Sequence, residues 1–145
     1  MRINYTDSDK KLCVCAYSDA DSANNKESRR SVSGIMVMIN GAPVIFKSKI
    51  QQSVAHSTAE AEYIALSLCV QEVLWLKSLL CELKAKISQQ IKIFEYNQSA
   101  IAIAKNDGYQ SRANYIDIHY HFIHDHIKDG KIVIEYIDSK NQPIS

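Results

Sequence analysis

An Asn40-Gly41 pair between two apolar runs is the feature that most constrains the fold of this chain. Both residues tolerate positive φ, which the tight turn of a β-hairpin requires. One apolar run, 35–39, precedes the pair, and a second run, 44–46, follows it. The pattern predicts a hairpin between a strand over 31–39 and a strand opened by Pro43, because proline is tolerated at the first residue of a strand.

A strand over 12–19 precedes this hairpin, and a long helix follows it. The three strands together predict an antiparallel meander. Ser57-Thr58-Ala59-Glu60 fits a capping box, in which the serine side chain accepts from the backbone N–H three residues later. The helix is predicted to run to about Leu83. One stripe recurs at helical spacing and comprises Glu62, Leu66, Cys69, Val73, Leu76 and Leu80.

Glu62 is unusual because it starts the stripe that otherwise packs on the sheet. A solvated glutamate would normally lie on the opposite helix face. We therefore expect Glu62 to have a role in a site, although exposure at the fraying first turn would also account for it.

The second half of the chain alternates strand and helix patterns. Residues 91–95 predict a fourth strand, parallel to the first because a helix connects them. Helices are predicted over 99–105, capped by Asn97, and over 117–128, and a last strand over 132–137. The order β-β-β-α-β-α-α-β predicts one α/β domain over 1–145, with a five-stranded mixed sheet flanked by helices.

Composition restricts the class of protein further. The chain has 145 residues, of which 46% are hydrophobic, and a net charge of +1 at pH 7. That content is enough for a packed core. No uninterrupted apolar run approaches the roughly 18–20 residues that span a bilayer. The first seven residues lack the apolar region of a signal peptide, and the four cysteines lack zinc-site spacing. We expect an intracellular protein, cytoplasmic or nuclear, without membrane contact.

Acidic residues stand where the predicted elements begin or end. Asp19 closes the first strand and Glu62 lies near the start of the long helix, but Tyr96 stands at the end of the fourth strand, where a third acid would complete the set. Acids converging at one sheet edge can hold two Mg²⁺ ions roughly 3.5–4 Å apart, and Mg²⁺ prefers such hard oxygen ligands. Spacing alone is weak support, because many α/β proteins carry acids at strand ends.

Local sequence motifs make the pattern more specific. They are Tyr17-Ser18-Asp19-Ala20-Asp21, Arg29-Arg30-Ser31-Val32-Ser33-Gly34, Lys47-Ser48-Lys49, Ser57-Thr58-Ala59-Glu60-Ala61-Glu62-Tyr63-Ile64-Ala65-Leu66, Asn97-Gln98-Ser99-Ala100-Ile101 and Ile116-Asp117-Ile118. In this order and spacing they resemble the ribonuclease H domain at the end of Ty1/copia-type retrotransposon Pol polyproteins. The resemblance covers nearly the whole chain. It implies an RNase H-like fold and Mg²⁺-dependent (or Mn²⁺-dependent) cleavage of the RNA strand of RNA–DNA hybrids.

The resemblance also implies a set of site residues. The first catalytic aspartate matches Asp19 and the catalytic glutamate matches Glu62, and both are expected to bind metal. The third acid belongs immediately before Asn-Gln-Ser-Ala, where this chain has Tyr96. The fourth belongs three residues after Gln142, where this chain has Ser145. A tyrosine hydroxyl, with an ordinary pKa near 10, is a poor Mg²⁺ ligand at neutral pH.

Glu95 adjoins the position of the missing third acid. Adjacent strand residues point to opposite faces of a sheet, so we expect Glu95 to face away from the site of Asp19. A local bulge or a one-residue slip would bring Glu95 round as a possible substitute.

Two functions from different classes follow. The first is a hybrid-cleaving endonuclease with an incomplete site, weakened metal binding and weak or no activity. The second is a non-catalytic domain, degenerate or recruited by a host, that binds nucleic acid or a protein partner. The cations Arg29, Arg30, Lys47 and Lys49 could track a nucleic-acid backbone in either case, or could be solvated hairpin charges.

Overall fold

A computed structural model of the chain describes residues 11–21, 30–52, 54–55, 57–87, 90–105, 114–141 and 143, with the backbone alone at 114–120 and 139. Within these residues the elements follow the predicted order. They are β1 (Val14–Asp21), β2 (Val32–Ile39), β3 (Ala42–Ile50), α1 (Thr58–Glu82), β4 (Ile91–Glu95), α2 (Gln98–Lys105), α3 (Asn114–Lys128) and β5 (Ile132–Tyr136), followed by a short 3₁₀ helix, Ser139–Asn141.

The strands form one mixed sheet in the order β3-β2-β1-β4-β5. β1, β2 and β3 pair antiparallel, whereas β1 with β4 and β4 with β5 pair parallel. The predicted five-stranded mixed sheet is therefore confirmed. The parallel pairing of β1 with β4 brings the carboxyl ends of both strands to the same edge of the sheet.

The hairpin turn forms where the Asn40-Gly41 pair predicted it. Asn40 has a φ of 51° and Gly41 a φ of 83°, both in the left-handed region. β3 continues to Ile50, beyond the apolar run from which it was predicted. Its second half, Lys47-Ser48-Lys49, is polar in sequence, but it remains paired with β2. Backbone pairing, and not side-chain hydropathy, extends this strand.

α1 begins as its capping box predicted. The Ser57 hydroxyl oxygen accepts from the backbone N–H of Glu60 at 3.1 Å. The helix has the length and apolar composition of a possible membrane span, which the sequence had not led us to expect. Half of its most apolar stretch is buried inside the domain, as is usual for the central helix of a packed core.

The helices pack together on one side of the sheet, which we call the helix face. The core there joins α1, α2 and α3 to apolar side chains of the strands. On β1, Ala16, Ser18 and Ala20 are buried toward the helix face. Tyr17 points to the other side, the opposite face, where its ring stacks on Phe94 at a centroid distance of 5.1 Å. This alternation decides which site residues can meet.

Candidate active site

Glu62 reaches the end of β1 from the first turns of α1. Its side chain is fully buried, as its place on the packing stripe predicted. Oε2 accepts a hydrogen bond from the backbone N–H of Ala20 at 3.1 Å. Asp19, the neighbour of Ala20, is half-buried and belongs to the opposite face. The two predicted metal ligands therefore approach the same strand end from different sides.

Tyr96 lies between these two acids. It follows β4, whose Phe94 is in register with Tyr17 of β1, so Tyr96 is level with Asp19. Its hydroxyl donates a hydrogen bond to Oε1 of Glu62. Since Ala20 already engages Oε2, both carboxylate oxygens of Glu62 are held by protein donors. Tyr96, at the position of the missing third acid, is thus hydrogen-bonded directly to Glu62, one of the two acids that remain.

Glu95 is also fully buried, at the carboxyl end of β4. Its Oε2 accepts from the Ser18 hydroxyl at 2.8 Å, and its Oε1 accepts from the backbone N–H of Asn97 at 3.1 Å. Glu95 shares the helix face with Ser18 and so faces away from Asp19, in line with strand alternation. It does not face away from the site as a whole, because its carboxyl group lies within hydrogen-bonding reach of Glu62.

Burial raises the pKa of both glutamates. Desolvation by burial raises the pKa of Glu62 to about 7, and the charge of Asp19 adds to the shift, while the Tyr96 hydrogen bond opposes it. Desolvation and the charge of Glu62 raise the pKa of Glu95 to about 9. At neutral pH Glu95 therefore holds its proton and can donate it to Glu62 in a hydrogen bond.

The same surroundings hold Tyr96 in its neutral form. Burial, hydrogen bonding to Glu62 and the negative charges of Glu62 and Asp19 all raise the pKa of Tyr96 well above its usual range. A phenol in this environment does not ionise at neutral pH, so its oxygen cannot supply the negative charge that a carboxylate would bring to a cation.

An open cleft of about 450 Å³ lies beside Asp19. It is lined by Asp19, Ala20, Asp21, Val32, Gly34, Phe46, Lys47, Ser48 and Tyr96. Glu62 and Glu95 do not line it, because they lie on the helix face behind Tyr96. Tyr96 therefore separates Asp19, which lines the cleft, from the two buried glutamates.

The residues present do not fit a two-metal centre. Such a centre needs several carboxylates aimed at one point, and no group of three or more acidic, histidine or cysteine side chains converges in that way among the residues that the structure describes. Glu62 already accepts two protein hydrogen bonds, and its proton affinity is raised. Ser145, the predicted position of the fourth acid, lies outside the described residues.

At least one of the predicted cations is already engaged within the domain. Lys47 forms an ion pair with Glu72 of α1 at 2.9 Å, so its charge is partly neutralised. Lys49 and Arg30 are exposed. Arg29 lies outside the described residues. The net positive charge of this surface is therefore smaller than four independent cations would give.

The pairing of Glu95 with Glu62 is the feature that sequence reasoning missed. A signal for it was present, because Ile91, Ile93 and Glu95 alternate and are all buried on one face. Reading Glu95 in the same register as the two isoleucines would have placed it in the core, beneath the helix that carries Glu62.

Comparisons with known proteins agree with this architecture. No protein-family model matches the chain. It is 35% identical over 127 residues, 88% of its length, to the retrovirus-related Pol polyprotein from transposon TNT 1-94 of Nicotiana tabacum, of which it covers 10%. It is 53% identical over 63 residues, 43% of its length, to secreted RxLR effector protein 161 of Plasmopara viticola, of which it covers 44%.

Solved structures show the same fold. LC11-RNase H1 in complex with an RNA/DNA hybrid superposes with a TM-score of 0.63 at 14% identity, over 90% of this chain and 88% of that one. The sheet order and this likeness define the chain as an RNase H-like α/β domain. It belongs with Ty1/copia-type retrovirus-related Pol polyproteins, to which it is 32–35% identical over about 90% of its length. It spans about a tenth of the length of those polyproteins.

Proposed function

We propose that this chain is a retrotransposon-derived RNase H-like domain whose hydrolytic site is closed by Tyr96. The ancestral reaction is metal-dependent cleavage of the RNA strand of an RNA–DNA hybrid. The observation that carries the proposal is the hydrogen bond from the Tyr96 hydroxyl to Glu62. It occupies a carboxylate oxygen that a metal would need and puts a neutral phenol where an anionic ligand would stand, so Mg²⁺ or Mn²⁺ binding is weakened.

Hydrolysis at this site is expected to be weak or absent. Of the two predicted metal ligands, Asp19 lines the cleft and Glu62 does not, and both oxygens of Glu62 accept protein hydrogen bonds. Glu95 is a poor substitute ligand, because it retains its proton at neutral pH and bonds to Ser18 and Asn97. A feeble nuclease would require the Tyr96 hydrogen bond to break before a cation could bind.

Nucleic acid remains the proposed partner. The structural relative LC11-RNase H1 has been solved with an RNA/DNA hybrid. Lys49, which follows the cleft-lining Ser48, and Arg30 are exposed cations. A non-catalytic role, with a nucleic-acid or protein partner, is favoured by the same closed geometry. The match to an effector protein is in keeping with the use of part of this domain outside a Pol polyprotein.

A hybrid-cleavage assay in Mg²⁺ or Mn²⁺ tests the proposal. The 5′-labelled RNA strand of a hybrid is followed on a gel, beside a binding measurement on the same hybrid at fixed salt. We expect cleavage at or near background, with hybrid binding retained. Robust cleavage that is abolished by Asp19→Asn and by Glu62→Gln would overturn the closed-site proposal and identify an active nuclease.

A further inference from the structure

β3 forms one edge of the sheet, and it is exposed along nearly its whole length. Apolar side chains make up much of this exposure, since Phe46 is 67%, Ile50 53% and Val44 49% accessible. A long edge strand with exposed apolar side chains is a surface on which another strand can pair. Side chains of this strand line the cleft and supply Lys49 to the proposed function, but the outward-facing backbone groups of β3 have no role in it.

The backbone groups available on β3 can be derived from its pairing with β2. The N–H of Gln51 donates to the carbonyl of Ser31 at 2.8 Å, so these two residues form a hydrogen-bonded pair. In an antiparallel ladder such pairs recur every two residues. The backbone N–H and C=O groups of Lys49 and Lys47 therefore also face β2. The N–H and C=O groups of Phe46, Ser48 and Ile50 consequently point outward, away from the sheet.

We propose that this edge binds β3 of a second copy of the chain, antiparallel, around a two-fold axis at Phe46. In that register Phe46 lies opposite its own symmetry mate, as a hydrogen-bonded pair with matched backbone groups. Val44 lies opposite Ser48, and Ala42 opposite Ile50. Two five-stranded sheets would become one continuous sheet, with an apolar ladder across the junction on the opposite face.

Charge selects this register over its neighbours. A two-fold axis at Lys47 would put that lysine opposite itself, and an axis at Ser48 would put Lys47 opposite Lys49. Like charges directly opposite each other are destabilising. With the axis at Phe46, Lys47 meets Ile45 and Lys49 meets Pro43, so no two lysines are directly opposed.

The features that usually protect an edge are weak here. Lysine and proline commonly discourage strand pairing, but Lys47 is already paired with Glu72 of its own α1. Pro43 is the second residue of β3, and the β-bulge opposite Val37 and Met38 is confined to the same end. The stretch Ile45–Ile50 pairs regularly with β2, which leaves a regular template.

Cysteine cross-linking tests the register directly. A background with Cys13→Ser and Cys81→Ser removes the two exposed native thiols. In it, Phe46→Cys should give a disulfide-linked dimer under mild oxidation, because Cα atoms of a hydrogen-bonded pair lie about 5.5 Å apart. Ser48→Cys is the matched control on the same strand and face, and it should cross-link far less because its expected partner is Val44.

Solution mass measurements test the association itself. Sedimentation of the native chain should show a dimer that dissociates on dilution, and Phe46→Lys should shift the dissociation constant at least about tenfold toward monomer. Tyr136→Lys, on the exposed end of β5 at the other edge, should leave the dimer intact. The proposal would be overturned if the native chain stayed monomeric up to about 1 mM. It would also be overturned if Phe46→Lys and Tyr136→Lys weakened the dimer equally, or if Ser48→Cys cross-linked more than Phe46→Cys.

Discussion

The hydroxyl of Tyr96 donates a hydrogen bond to Oε1 of Glu62, joining the end of β4 to the start of α1. Ala20 holds the other oxygen of the same carboxylate from the end of β1. A buried acid that would otherwise need a cation or a proton is thereby stabilised by neutral donors. The arrangement is consistent with a stable domain whose ligand set for a metal is incomplete.

Replacing Tyr96 by an acid should restore cation binding. Tyr96→Asp removes the donor that holds Glu62 and adds a carboxylate beside Asp19, so we expect Mg²⁺ or Mn²⁺ affinity to rise at least about tenfold, which corresponds to about 1.4 kcal/mol. Isothermal titration calorimetry with each metal alone measures the change.

Tyr96→Phe is the control for this experiment. It removes the hydroxyl without supplying a ligand, so it should not raise metal affinity by the same factor. Equal affinity in Tyr96→Asp and the native chain would mean that Tyr96 does not mark the vacant ligand position.

Stability should fall as pH rises across the range in which the buried glutamates titrate. The pKa of Glu62 is raised from 4.5 to about 7 and that of Glu95 from 4.5 to about 9. Between the ordinary and the raised pKa of each group, the folded chain therefore binds more protons than the unfolded chain. Their stabilising contribution is complete below about pH 4.5 and is lost as pH rises through the folded pKa values.

Glu95→Gln should remove much of this pH dependence. A neutral amide can keep contacts to Ser18 and Asn97 without the charge that forms on Glu95 at high pH. We expect the variant to gain about 1–3 kcal/mol relative to the native chain near pH 9, with a smaller difference near pH 5. Urea unfolding at a series of pH values measures this, and parallel pH profiles for both proteins would contradict the assignment.

Loss of the α1 cap should weaken the element that carries Glu62. Ser57→Ala removes the oxygen that accepts from Glu60 and should lower the free energy of unfolding by about 1 kcal/mol. Ser57→Asp retains an acceptor at the same position and should stay close to the native value. A thermal or urea unfolding series compares the three proteins, and an unchanged Ser57→Ala would show that the cap contributes little.

Local signals in the sequence were sufficient for the elements of the fold. Asn40-Gly41 predicted the hairpin, the capping box predicted the start of α1, and the apolar periods predicted strands and helices. These signals act over a few residues, through φ preferences, caps and side-chain periodicity. The end of β3 was missed because its pairing with β2 depends on backbone groups that hydropathy does not record.

The sequence by itself predicted a five-stranded mixed sheet, the place of Glu62 on the packing stripe of α1 and the absence of an acid at Tyr96. Only the tertiary structure decided how the site is filled without that acid. The Tyr96 hydroxyl is hydrogen-bonded to Glu62, and the buried Glu95 keeps its proton at neutral pH. These contacts join residues 34 and 33 positions apart in the chain and depend on how α1 packs on β1 and β4. No local pattern encodes such contacts, because the hydrogen-bond partners and desolvation that set them exist only after the sheet and helix have met.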